Sequence, residues 1–232
     1  MGFLVPLLMC AAFLLFWFLL CKWFLRLYAS SVIRTLGGLP SLNRKNVAAL
    51  LSVYFGAKAL YLERWFPARS EEGTVYRDVP CILVLGRNIF VTEICPYPGL
   101  ICNTSGANWH IDPPAEFRRE KEIRVPNPVL TGAERAQMLK DLFGVLRLPF
   151  DVHIESMAVL TDQRHQLANS AQEGLYKLSD AVSHLRSFSA RDKASRKRMK
   201  KERALVLAVL KHYSLSRGRA IARNDRIRRK KK

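Results

Sequence analysis

The stretch Asn88–Trp109, NIFVTEICPYPGLICNTSGANW, decides the fold of this chain. Ile89–Ile94 is a short apolar run rich in β-branched residues. A similar run, Cys81–Leu85, precedes it across the tripeptide Gly86-Arg87-Asn88. Two such runs around a three-residue turn that contains glycine predict a β-hairpin. The hairpin places Glu93 near the end of its second strand.

The sequence around this hairpin predicts alternating helices and strands. Apolar residues recur at three- and four-residue steps in three stretches, which predicts amphipathic helices at 43–59, 131–146 and 170–185. Short apolar runs predict further strands at 100–103, 108–111 and 152–160, and PARSEEG at 67–73 predicts a loop. Because one helix must cross over between strands, we expect an α/β fold with a mixed β-sheet and flanking helices.

A long apolar stretch begins the chain, and residues Gly2–Cys21 contain no charge. In a helix, about 20 such residues span roughly 30 Å, the hydrocarbon thickness of a bilayer. A cleaved signal peptide and a buried core helix are the alternatives. A signal peptide would carry a basic residue before an apolar run of about 7–15 residues, and no basic residue precedes Lys22. We therefore predict a transmembrane anchor at 1–28 and a linker at 29–42.

The flanking charges predict the orientation of this anchor. Lys22, Arg26 and Arg34 all lie on its C-terminal side, so the positive-inside rule places the rest of the chain in the cytoplasm. The five cysteines show no CxxC spacing, which argues against a zinc site and a disulfide framework. The sequence thus predicts a single-pass protein of the cell membrane with reduced cysteines.

The positive charge is concentrated in the C-terminal tail, residues 187–232. This tail holds 18 of the 38 Lys and Arg residues and 3 of the 19 acidic residues, which accounts for +15 of the net charge of +19. We expect it to be partly helical or disordered, with disorder from Asn224 onward. It would bind anionic lipid or nucleic acid, or act only as a solvated extension. The candidate binding residues are Arg196, Lys197, Arg198, Lys200, Lys201, Arg228, Arg229 and Lys230.

The run Ile89-Phe90-Val91-Thr92-Glu93, followed by Gly99, Trp109 and Asn127-Pro128, resembles the nuclease-related domain (NERD) family. The resemblance covers residues 43–186. It implies a restriction-endonuclease-like fold, and several members of the family are tethered to bacterial membranes.

The resemblance also implies a catalytic site, which this chain matches only in part. In such nucleases an Asp and a Glu on adjacent strands hold Mg²⁺, and a lysine two residues after the Glu stabilises the developing charge. The glutamate corresponds to Glu93, but Cys95 stands at the lysine position. The aspartate position falls near Pro80, and the nearest acid is Asp78. The acid that the family often carries in its first helix has no counterpart at 43–51.

These departures favour a catalytically inactive domain that serves as a binding or scaffold module and needs no cofactor. A lone carboxylate binds Mg²⁺ weakly, and a cysteine is neutral near pH 7. We expect Glu93 to be a solvated strand-end residue and Cys95 a small buried one. The alternatives are a membrane-tethered Mg²⁺-dependent nuclease that uses Glu93 and Asp78 on DNA or RNA, and a structural protein that mediates assembly. His153 and Glu155 form a weaker candidate pair of metal ligands. The sequence identifies no protein partner.

Overall fold

A computed structural model describes residues 4–35, 44–55, 60–70, 73–102, 104–114, 123–162, 164–168, 172–188 and 193–229. The helices are α1 (Leu4–Thr35), α2 (Arg44–Phe55), α3 (Pro128–Gly144), α4 (Leu178–Ser187), α5 (Lys193–Tyr213) and α6 (Arg217–Arg229). The strands are β1 (Leu60–Ser70), β2 (Gly73–Leu85), β3 (Asn88–Cys95), β4 (Gly99–Cys102), β5 (Asn108–Asp112), β6 (Ile123–Pro126), β7 (His153–Leu160), β8 (His165–Leu167) and β9 (Leu175–Lys177).

The larger sheet has the strand order β1-β2-β3-β7-β9 and is mixed. Strands β1, β2 and β3 are antiparallel neighbours, whereas β3, β7 and β9 run parallel. Helix α3 crosses over between β3 and β7, as a parallel pair requires. The predicted hairpin turns at Gly86, which has a φ of +65°. The expected α/β fold with mixed sheet and flanking helices is therefore confirmed.

Helices cover both faces of this sheet, which explains the nearly continuous apolar sequence of β2 and β3. Phe90 and Ile94 pack with residues of α2 and α4 on one face. Ile89 and Val91 pack on the opposite face with residues of α3 and α5. Because side chains alternate along a strand, Glu93 points toward the α3 side.

A second, smaller sheet has the order β6-β5-β4-β8. Its predicted strands near 100–103 and 108–111 are β4 and β5, which pair antiparallel. Trp109, Ile101 and Ile111 are fully buried in this sheet, and they pack against Cys95 and Leu160 at the ends of β3 and β7. The smaller sheet thus packs against the larger sheet at the C-terminal ends of β3 and β7.

Two strands of the larger sheet differ from the sequence prediction. Residues 60–70 form β1, although a loop was predicted from residue 67, and residues 56–59 of the predicted first helix lie outside the described part. The predicted third helix begins only at Leu178, because Leu175–Lys177 pairs with β7 as β9. Strand β1 forms a hairpin with the next strand, β2, and its apolar residues suit a helix as well as a strand. Strand β9 is held by β7, which lies farther away in sequence, and a local pattern does not contain this information.

The basic tail is folded onto the domain, so the expected disorder from Asn224 onward is wrong for residues 224–229. Val206 and Leu210 of α5 and Ala220 of α6 are fully buried. Between the two helices, the backbone of Leu215 pairs with Trp65 of β1. The tail has few apolar residues, and buried Val206 and Leu210 pack in one cluster with Phe66 of β1 and Val79 of β2. Residues 230–232 lie outside the described part.

Helix α1 continues past the predicted boundary at residue 28 and ends at Thr35. Its side chains are described from Met9 to Phe24, and all of these are exposed. Within the part of the chain whose side chains are described, no helix is long and apolar enough to cross a membrane.

Candidate functional site

Arg135 of α3 bridges the two acidic residues that the sequence singled out. Its Nη1 donates to Oε1 of Glu93 at 2.6 Å, and its Nη2 donates to Oδ2 of Asp78 at 2.9 Å. Its Nε also donates to the backbone oxygen of Asp78 at 2.8 Å. The guanidinium group therefore lies where carboxylates from β2 and β3 converge.

Asp78, Glu93 and Arg135 form a partly buried triad, so the charge state of each residue depends on the other two. The side chain of Glu93 is 8% exposed and that of Arg135 is 18% exposed, whereas that of Asp78 is 51% exposed. Burial alone would lower the pKa of Arg135, but the negative charges of Glu93 and Asp78 and their hydrogen bonds raise it above its ordinary value. Arg135 thus remains a cation, and the expectation that Glu93 is a solvated residue is wrong.

Helix α3 approaches Glu93 closely because Gly132 faces the strand. A Cβ atom on Gly132 would lie 3.3 Å from Cγ of Glu93. Arg135 lies three residues later, on the same side of the helix. The absence of a side chain at Gly132 thus leaves the room in which Arg135 reaches both acids.

Strand β2 is irregular at Pro80. The pairing with β1 includes Leu62 with Cys81 and Arg64 with Val79, but not Glu63 with Pro80. Proline has no N–H to donate to the ladder, and Glu63 opposite it has a φ of +48°. The ladder between β1 and β2 is therefore interrupted two residues after Asp78.

Cys95 is a buried apolar residue, as predicted, and supplies no cation at the lysine position. It is 1% exposed and packs against Trp109 and Leu160. Its Sγ contacts the backbone oxygen of Glu93 at 3.8 Å. Burial in apolar surroundings favours the neutral thiol over the thiolate. A cation does contact Glu93, but it is Arg135 of α3 and not the residue at the lysine position.

Asn127 and Pro128 begin the helix that carries Arg135. The Asn127 side chain accepts from the N–H groups of Val129 and Leu130, which caps α3, and Pro128 occupies the first helical position. The Asn127 Nδ2 group donates to the backbone oxygens of Thr104 and Gly106, both at 2.8 Å. These contacts fix the start of α3 to the loop between β4 and β5.

Trp109 and Gly99 complete this support. The Trp109 Nε1 group donates to the same Thr104 oxygen at 3.2 Å, so this carbonyl has two buried donors. Gly99 has a φ of +100°, and a Cβ atom there would lie 2.1 Å from the backbone oxygen of Asp112. The residues that carry the family resemblance outside the acid pair thus have structural roles near α3.

The sequence analysis missed Arg135 because this residue is distant from the hairpin along the chain. One local signal was available: an arginine on the side of a predicted helix that also presents Gly132 and Ala136. Small residues at this spacing permit close contact with a strand, and a cation beside them indicates a buried acid opposite.

Glu155 and His153, the weaker candidate pair of metal ligands, belong to a separate polar cluster on the α4 side of the sheet. Oε1 of Glu155 lies 2.9 Å from Nε2 of His184, and Oε2 lies 3.5 Å from Nε2 of His153. The His184 ring stacks on Tyr176 at 5.3 Å between centroids. Among the described residues, no three His, Cys, Asp or Glu side chains are grouped so that they could hold a metal ion.

The candidate binding residues of the tail are divided between two helices. The five of α5 are exposed, although Nε of Arg198 lies 3.8 Å from Oε1 of Glu202. Arg229 is exposed at the end of α6, whereas the Arg228 side chain and Lys230 lie outside the described part. The members of the α5 set are Arg196, Lys197, Arg198, Lys200 and Lys201.

These geometries stand without a relative to compare them with. No protein-family model, curated protein or solved structure matches this chain. The function must therefore be argued from the residues themselves.

Proposed function

We propose that this protein is a membrane-anchored, catalytically inactive relative of the NERD nucleases that acts as a binding module. The observation that carries this proposal is the position of Arg135 between Asp78 and Glu93. In a metal-dependent nuclease these carboxylates would hold a divalent cation. Here the guanidinium group of Arg135, which belongs to the chain itself, already neutralises them.

The order and pairing of the elements support the family assignment in this proposal. From α2 to β7, the larger sheet takes a helix, three antiparallel strands, a crossover helix and a parallel strand, and the smaller-sheet strands β4, β5 and β6 lie between β3 and α3. Glu93 lies on β3, which has neighbours on both sides, and β2 carries Asp78 beside it. A degenerate nuclease domain would retain this scaffold while its acid pair took a structural role.

The chemistry of the triad argues against cleavage. A Mg²⁺ ion takes six oxygen ligands at about 2.1 Å and would have to displace Arg135 from both carboxylates. The released guanidinium group would lose buried Glu93 and half-exposed Asp78, and Cys95 would supply no charge in its place. The acid pair therefore stabilises the contact between α3 and the sheet.

A second candidate function deserves a test, because Arg135 supplies the cation that the sequence lacks at Cys95. In an active nuclease Arg135 would leave the carboxylates when metal bound and then contact the scissile phosphate. This version requires the shortest ion pair of the site, 2.6 Å, to open in each binding event. We favour the inactive domain because Arg135 already donates hydrogen bonds to the carboxylates of both Glu93 and Asp78.

Incubation of the full chain in detergent micelles with labelled DNA and RNA tests this proposal, with Mg²⁺ or Mn²⁺ present. We expect no cleavage above that of a Glu93→Ala variant. Glu134→Ala is the matched control, because Glu134 lies beside Arg135 on α3 but is 70% exposed. Metal-dependent cleavage that persists in Glu134→Ala and disappears in Glu93→Ala would establish the nuclease instead.

The membrane part of the proposal rests on α1. Eleven large apolar side chains between Met9 and Phe24 are exposed, and Lys22 is the only charged residue among these positions. An apolar surface of this extent is unfavourable in water and marks an interaction with a membrane or protein. We propose a single-pass anchor with the domain on the cytoplasmic side. The full chain should then stay in the membrane pellet after alkaline extraction, and its release would contradict the anchor.

A further inference from the structure

An arginine-lined groove lies between α6 and the outer part of β2. Its volume is about 760 Å³, and Thr74 and Tyr76 form the β2 wall. Arg219, Arg223 and Arg226 form the α6 wall, with Leu215 at one end. This groove shares no lining residue with the triad of Asp78, Glu93 and Arg135.

The groove is positively charged without internal compensation. All three arginines are exposed, and no acidic residue lines the groove. Asp225, the one acid of α6, is not part of the lining. Within the described residues, no carboxylate lies within ion-pair distance of Arg219, Arg223 or Arg226. Their guanidinium groups are therefore available to an anionic ligand.

The groove is held in place by contacts that do not use these arginines. The Asn224 side chain accepts from the Tyr76 N–H at 2.8 Å and donates to the Tyr76 backbone oxygen at 2.9 Å. Ala220, one turn earlier, is fully buried, and the Leu215 backbone pairs with Trp65. Helix α6 is thus fixed to the β2 edge, and its arginines are presented in a constant arrangement.

The spacing of the arginines indicates an extended polyanion. They occupy positions i, i+4 and i+7 of one helix, so their Cα atoms span about 10 Å along the axis. A single phosphate group would be held better by arginines that converge on one point. A row suits successive phosphates of one strand. Arg223 also lies over the Tyr76 ring at 5.5 Å, which places an aromatic surface beside the row.

We propose that this groove binds the sugar-phosphate backbone of single-stranded nucleic acid. A basic groove beside an aromatic ring is the usual combination for such binding, and guanidinium planes and aromatic rings both stack on bases. A lipid surface fits less well, because α1 contacts α2 and α4, whereas α6 forms the groove with β2. The proposal deepens the binding role proposed above but requires neither the anchor nor an inactive centre.

Fluorescence anisotropy of the full chain in detergent micelles, with a labelled oligothymidylate and EDTA, tests the groove. The salt dependence of affinity counts the phosphate contacts, at a slope of about 0.7 per contact for single strands. The variant R219Q/R223Q/R226Q should reduce the slope by roughly 2, since three contacts are lost. The variant R219K/R223K/R226K should retain the slope, because each charge is kept.

A matched control separates the groove from general basicity. R196Q/K197Q/R198Q removes the same charge from the exposed start of α5, and it should change the slope by less than half as much as the groove variant. Equal losses in the two variants would overturn the proposal, and so would an unchanged slope in the groove variant. Groove-dependent binding to anionic vesicles but not to the oligonucleotide would also overturn it. Because EDTA removes divalent metal, any outcome is independent of the cleavage assay.

Discussion

Arg135→Met is expected to lower the free energy of unfolding by about 3 kcal/mol. Removal of one partner from a buried ion pair costs about 3–5 kcal/mol, because the remaining charge is left without compensation. Glu93 is that remaining charge, and it is buried between α3 and β3. Asp78 is half exposed and contributes less. Urea denaturation of the full chain, followed by far-ultraviolet circular dichroism, measures the change.

Two further variants identify the buried charge as the cause. Glu93→Gln in the Arg135→Met background should restore more than half of the lost stability, because it removes the uncompensated charge. Arg77→Met is the matched control, since Arg77 pairs with Glu134 at 3.8 Å on the exposed surface. It should change stability by less than about 0.5 kcal/mol. Equal effects of Arg135→Met and Arg77→Met would contradict a buried ion pair.

Gly99→Ala is expected to destabilise the protein by about 4 kcal/mol or to prevent folding, since overpacking and backbone strain add. The new Cβ would lie 2.1 Å from the backbone oxygen of Asp112, and the residue has a φ of +100°. The atom that it would meet belongs to the main chain of β5, so no side-chain rotation can relieve the contact. Thermal unfolding of the full chain measures the loss.

Gly73→Ala provides the matched control for this substitution. Gly73 has a φ of +107°, but no atom lies within 4 Å of a Cβ built there. Its substitution should cost only the conformational term, about 1 kcal/mol. The difference between the two variants then reports the close approach of β4 to β5. Equal losses would show that Gly99 is needed for its backbone angle alone.

Local sequence patterns predicted the elements that depend on neighbours in sequence. The hairpin of β2 and β3 follows from β-branched runs around Gly86, and α3 follows from apolar residues at helical spacing in 131–146. The cap at Asn127 and the start at Pro128 were not predicted. Strand β1 was missed because its apolar residues suit a helix as well as a strand. Only its pairing with β2 decides between them.

The sequence predicted which acidic residues belong to the site, but it did not predict that a cation lies between them. Asp78, Glu93 and Cys95 were identified from one stretch of chain, and the structure brings both acids to one cation. The environment of Glu93 was mispredicted because α3, more than thirty residues later, buries it. The same limit applies to the arginine groove, since Tyr76 and Arg223 are distant in sequence and meet only through the docking of α6.

We propose that Arg135 occupies the place of a metal ion between Asp78 and Glu93. Electron paramagnetic resonance of Mn²⁺, titrated with the full chain in detergent micelles, tests it most directly. Glu93→Gln and Glu134→Gln serve as the site variant and its exposed control, and each is checked for folding by circular dichroism. The account predicts that wild type and Glu93→Gln leave the same amount of Mn²⁺ free. A saturable site that wild type and Glu134→Gln share, and that Glu93→Gln loses, would contradict it.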